Sequence, residues 1–163
     1  MRQLTFVIGL AVAVTACART PASPSYVVPL TVTQVNTGEP LSSTHLKGEH
    51  ETPPHDTPAQ GQSVMTVSAD GQSISFKLMA SNIDNVVASH IHLGPPGVNG
   101  GIVVFLYGNA PAGGGPTQGV LAEGTITAAD LINALQGHPL SDLVAAIEAG
   151  NAYVNVHLSL IHI

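Results

Sequence analysis

The chain has 163 residues, the length of about one domain, and carries Lys+Arg 4 against Asp+Glu 10, for a net charge of −6. A surface this poor in cations excludes nucleic-acid binding, and a content of 44 % hydrophobic residues excludes a disordered acidic chain. With 9 % charged residues, 17 Gly, 12 Pro and no Trp, the composition is that of short strands joined by Gly/Pro turns.

The N-terminus reads as an export signal. Met1-Arg2-Gln3 supplies one positive charge, and residues 4–14 form an apolar run too short for a bilayer span of roughly 20 residues. The run ends in Val14-Thr15-Ala16-Cys17, which resembles the bacterial lipobox, with an ordinary secretory signal as the alternative. Residues 1–16 are therefore expected to be a lipoprotein signal peptide, and Cys17, the single cysteine, the lipidated first residue of the mature chain. Attachment to the membrane would rest on the lipid, because the chain has no polybasic patch. Ala18 follows the cysteine where an Asp would resemble an inner-membrane retention signal, so outer-membrane sorting is expected in a Gram-negative cell. Residues 17–40 then form a Pro/Ser spacer with one candidate edge strand over residues 30–35.

Downstream, the residue pattern predicts a hairpin. Residues 63–68 and 73–79 flank Asp70-Gly71, a pair suited to a type I′ turn. Alternation puts Ile74, Phe76 and Leu78 on one face and Ser73, Ser75 and Lys77 on the other. Residues 86–93 and 102–107 are further β-rich runs, separated by a Gly/Pro turn over 94–101. Residues 108–119 read as a Gly/Pro loop, which lacks the lysine and the strand–helix setting of a phosphate-binding loop. Two short helices are expected: residues 128–135 capped by Thr127, with Asp130 completing a capping box, and residues 142–149 capped by Ser141 and stopped by Gly150. Residues 151–157 return to strand.

Two strands carry the candidate chemistry. His90 and His92 stand two apart, so on a strand both imidazoles share one face while Ile91 and Leu93 take the other. In residues 151–157 the apolar face is Ala152, Val154 and Val156, and the polar face is Asn151, Tyr153, Asn155 and His157. If the strands are neighbours, His90, His92 and His157 converge on one metal, and imidazole suits Zn and Cu. The competing reading is that the same histidines hydrogen-bond backbone or Asn groups and hold the strands together. Other constellations fall away. His50-Glu51 begins like a zinc-binding helix motif, but Pro53 and Pro54 prevent the helix. There is no nucleophile elbow, Glu49/Glu51 read as a solvated face in a Pro-rich polar loop, and His45, His50 and His55 cluster in the same loop as a loose second metal site at most, without ligand spacing.

These segments, in order, resemble the CHRD domain, the module first defined in chordin and common in bacterial secreted proteins. The matching pieces are Leu46-Lys47-Gly48-Glu49-His50-Glu51-Thr52-Pro53-Pro54 and Ser89-His90-Ile91-His92-Leu93-Gly94-Pro95-Pro96-Gly97-Val98-Asn99-Gly100, then residues 119–131 and Gly150-Asn151-Ala152-Tyr153-Val154-Asn155-Val156-His157. The resemblance spans residues 41–157, taken as the β domain. It implies an all-β, antiparallel immunoglobulin-like sandwich or barrel-like fold with one or two short helices, and no established enzymatic activity. It also draws Glu51, a motif residue, toward the same candidate metal site. The family usually continues with one more strand. Here residues 158–163, Leu158-Ser159-Leu160-Ile161-His162-Ile163, read as a translated sequencing adapter, so that the last family strand is expected to be missing.

The function expected from these features is a lipid-anchored, non-enzymatic binding or structural module of the cell envelope, with a Cu or Zn ion or a protein or glycan as partner. The alternative is a metalloenzyme of superoxide-dismutase type, whose fold also carries a His-x-His strand. Such an enzyme needs a bridging histidine, further zinc ligands and a disulfide, and no histidine lies between positions 92 and 138.

Overall fold

The computed structural model describes residues 41–108 and 115–158. Cys17, the signal segment, the spacer with its candidate strand over 30–35, and residues 159–163 lie outside them. Seven strands are described: β1 (Ser42–Lys47), β2 (Gln60–Val67), β3 (Ile74–Asp84), β4 (Val86–Leu93), β5 (Gly101–Tyr107), β6 (Pro116–Ile126) and β7 (Ala152–Leu158). They form two antiparallel sheets, of order β1-β2-β3-β6 and β5-β4-β7. The sheets pack as a sandwich, which settles the choice between sandwich and barrel left open by the sequence.

β3 shows why the chain folds this way. Ile74, Phe76, Leu78 and Ala80 are buried, and Ser75 and Lys77 between them are exposed, the expected two-residue period. Ile74, Phe76 and Leu78 meet Ile91, Val104 and Leu106 of the other sheet in one core, closed by Leu131, Leu135, Leu140 and Leu143. Each fully buried aliphatic side chain of this kind contributes about 1.5–3 kcal/mol relative to exposure.

The predicted hairpin forms, with a different turn. Val67 pairs with Ile74, leaving a six-residue loop over 68–73. Gly71 takes a positive φ of 70°, but Asp70 does not. Its carboxylate instead accepts hydrogen bonds from Ser68 Oγ (2.6 Å) and the Gln72 N–H (3.0 Å), an arrangement that a two-residue turn has no room for.

Other elements differ more. β1 falls in the Pro-rich polar segment around His45, and β6 takes in residues 116–119 of the expected Gly/Pro loop together with residues 120–126, for which the pattern predicted no element. Gly124 of β6 faces Phe76, whose ring lies where a β-carbon would come within 3.1 Å, so the glycine makes room for a core aromatic. The helix expected over 128–135 is two 3-10 turns, Ala128–Asp130 and Asn133–Leu135. The Asp130 carboxylate does accept from the Thr127 N–H (2.8 Å) and hydroxyl (2.9 Å). The helix then breaks because Ile132 donates its N–H to the Val103 carbonyl and Asn133 Nδ2 donates to the Ile102 carbonyl, tying the segment to β5. The α-helix α1 (Leu140–Glu148) begins two residues earlier than expected, with Pro139 rather than Ser141 at its N-cap, and Gly150 follows it at φ 70°.

Candidate metal centre

The histidine strand β4 lies in the middle of the three-stranded sheet. On one side its register with β7 is regular from Ala88↔His157 to Leu93↔Ala152. On the other side β5 slips twice, between Ser89 and His90 and again between Ile91 and His92. Each slip leaves one extra residue on β5, Leu106 and Val103 in turn, so β5 bulges on both sides of the His90–Phe105 pair.

Ser89 and Ile91 are buried on the core side, and Ser89 Oγ donates to the Asn155 carbonyl (2.8 Å). The imidazoles of His90 and His92 take the opposite face, where they meet His157. Ring centroids are 5.7 Å apart for His90–His92, 4.9 Å for His90–His157 and 5.8 Å for His92–His157. One ring nitrogen from each lies within 4.8 Å of the other two. Although this is the outward face of the sheet, His90 and His92 are only 6 % and 8 % exposed. Phe105 stands edge-on to His90 at 4.7 Å, and Tyr153 lies flat against His92 at 5.1 Å with planes 10° apart.

The hydrogen bonds separate the two readings of these residues. The structural reading accounts for one ring nitrogen: His92 Nδ1 is 3.0 Å from the Gly100 carbonyl. Three others, His90 Nδ1, His92 Nε2 and His157 Nε2, are buried without a partner. Such a group left unpaired costs about 1–3 kcal/mol. No Asn side chain takes up the slack among the described residues, since Asn155 donates to Glu51 Oε2 (3.3 Å) instead. Three buried imidazole nitrogens without a hydrogen-bond partner are a candidate donor set for a borderline metal ion, which each neutral ring can meet with one lone pair.

Charge favours the neutral, ligating form. Burial, then the neighbouring His157 and His92, holds the proton affinity of His90 below the ordinary imidazole value. Burial and His92 do the same to His157, with the Glu51 carboxylate pulling the other way. Glu51, which the resemblance drew toward this site, stands outside the three-residue group and accepts a hydrogen bond from Asn155 Nδ2. His45 and His50 lie exposed on β1 and the following turn, and His55 lies exposed beyond them, with no gathered ligand set.

For three residues at the centre the sequence assigned no role there. Tyr153 had a signal, since it alternates with Asn155 and His157 on one strand. Phe105 and Gly100 had none, because the two bulges of β5 break its two-residue period and the role of Gly100 arises in a loop. No helix among the described residues is long and apolar enough to cross a membrane.

Among known protein families, the model described as the CHRD domain matches residues 42–160. No curated protein and no solved structure matches significantly.

Proposed function

Since the chain belongs to the CHRD-domain family, we propose that it is a non-enzymatic, lipid-anchored protein of the cell envelope whose β domain binds one Cu or Zn ion through His90, His92 and His157. The observation that carries the metal is the trio of buried, unpartnered ring nitrogens drawn from two adjacent strands. Neutral imidazoles satisfy either ion, and binding would give three buried, unpartnered rings a metal bond each. A dismutase-like enzyme is disfavoured, because no further His, Cys, Asp or Glu joins the group among the described residues to build a second metal position.

The anchor rests on Val14-Thr15-Ala16-Cys17 following an apolar run, and on the lack of any basic patch that would bind a membrane by charge. A Gram-negative host would place the protein on its outer membrane.

Two measurements test the two halves. Equilibrium dialysis against Zn(II) and Cu(II), followed by metal analysis, is expected to leave one equivalent on the protein; none would return the histidines to a structural role and the search to protein or glycan partners. Replacing Cys17→Ser is expected to release the protein from the membrane fraction, and its continued sedimentation with membranes would refute the lipid anchor.

A further inference from the structure

The loop between β4 and β5 reaches back over the histidine face and makes a closed cycle there. Gly100 uses both of its peptide groups. Its carbonyl is 3.0 Å from His92 Nδ1, and its N–H donates to the Tyr153 hydroxyl at 3.0 Å. The Tyr153 ring, in turn, stacks on His92 with centroids 5.1 Å apart. Tyr153 is the β7 residue opposite His92 in the sheet register, so the strand pairing itself sets the stack.

This cycle has a chemical consequence. A carbonyl oxygen only accepts, so the bond to Gly100 requires the proton on His92 Nδ1. Nε2 is then left with its lone pair, and Nε2 is the His92 nitrogen that is buried without a partner. Outer partners of this kind fix the tautomer and orientation of a metal-binding imidazole.

We propose that Tyr153 and Gly100 are positioning residues that hold His92 as the Nδ1–H tautomer with Nε2 turned into the three-histidine centre. This rests on the metal-binding reading above. Position 100 suits the task because the chain must pass tightly there: a β-carbon on Gly100 would run into the Leu93 carbonyl group, backbone that cannot yield like a flexible side chain. The stack adds rigidity from the other side, because a flat contact with Tyr153 opposes rotation of the imidazole out of the cluster.

The test compares the whole chain with its Tyr153→Phe and Tyr153→Leu variants. Nitrogen NMR of the metal-free proteins at pH 8 reads the His92 tautomer, and competition titration with Zn(II) and Cu(II) reads affinity. In the unaltered chain His92 should be Nδ1–H. Tyr153→Phe keeps the ring and loses only the hydroxyl, so it should bind metal roughly tenfold more weakly, and its His92 should become a mixture of tautomers. Tyr153→Leu loses the stack as well and should bind more weakly still. A Tyr153→Phe variant with unchanged tautomer, or with a shifted tautomer but unchanged affinity, overturns the positioning role and leaves the metal-binding reading intact. If the unaltered chain binds neither ion, the metal-binding reading fails and the positioning role falls with it, whichever tautomer His92 holds.

Discussion

His157 pairs in register with Ala88, yet its ring lies 4.9 Å from that of His90, one step diagonally along the neighbouring strand. Diagonal neighbours in a sheet are within reach of long or aromatic side chains, and this one joins two strands that are remote in sequence. The centre is thus a product of the β4–β7 pairing and exists only when both strands are in place.

Acid should destabilise the metal-free protein. His90 and His157 take up protons less readily in the fold than in the unfolded chain, where an imidazole titrates at about 6.5. Below that value the unfolded state binds more protons, so stability rises with pH in this window and is lost as pH falls from about 6.5 toward the lowered folded values. Thermal unfolding between pH 8 and pH 5 should show this slope, and a His90→Asn/His157→Asn double variant should flatten it. An equal slope in both proteins would mean that these two histidines do not carry it.

Metal should act in the opposite sense. An ion that binds the folded form alone stabilises it by about 2.7 kcal/mol at a hundredfold excess over Kd. Melting temperature should therefore rise with Zn(II) or Cu(II) and fall back on adding a chelator. Because burial keeps His90 and His157 neutral below the ordinary imidazole range, this gain should persist somewhat below pH 6.5 before protons displace the ion. A gain that disappears well above pH 6.5 would contradict the assigned ligands.

Gly100→Ala should be costly although residue 100 is no part of the core. The added carbon has only the Leu93 carbonyl and Gly94 backbone to displace, and forcing the chain apart there is expected to cost about 1–3 kcal/mol. Chemical denaturation would read this as a lower midpoint. Gly97→Ala is a useful contrast: nothing lies near its β-carbon, but its φ of 77° is itself unfavourable for alanine, so its cost should be smaller and purely conformational.

Core truncation on the other side of the same strand gives a further check. Ile91 is 1 % exposed and sits between the two histidines. Ile91→Ala should cost about 2–5 kcal/mol. Lys77→Ala, at an exposed position of β3, should stay within about 0.5 kcal/mol. Comparable losses at both sites would argue against the described packing.

The contrast between strands shows what was readable from sequence. β3 alternates cleanly in burial because one face lies on the core, and in β4 and β7 the residue types alternate where the histidines stand, Ser89 to Leu93 and Asn151 to His157, so the site was legible with them. β6 was not: of its eleven residues only Ile126 is buried, its glycines serve Phe76 and a bulge, and it lies at the sheet edge. β1 is likewise a polar edge strand whose one large apolar residue, Leu46, is only partly buried. Residues 128–135 have helix-compatible composition and a satisfied cap, but tertiary bonds to Val103 and Ile102 outcompete the helix. Pairing of β4 with β7 is a long-range choice that periodicity does not encode, so convergence of the three imidazoles could be posed from sequence only as a condition.

The central claim is one ion held by imidazoles from both strands, and native mass spectrometry of the chain titrated with Zn(II) and Cu(II) tests it most directly. The unaltered protein should take up one equivalent, and His90→Ala and His157→Ala should each abolish it. No uptake, or uptake that survives either substitution, would contradict a shared centre.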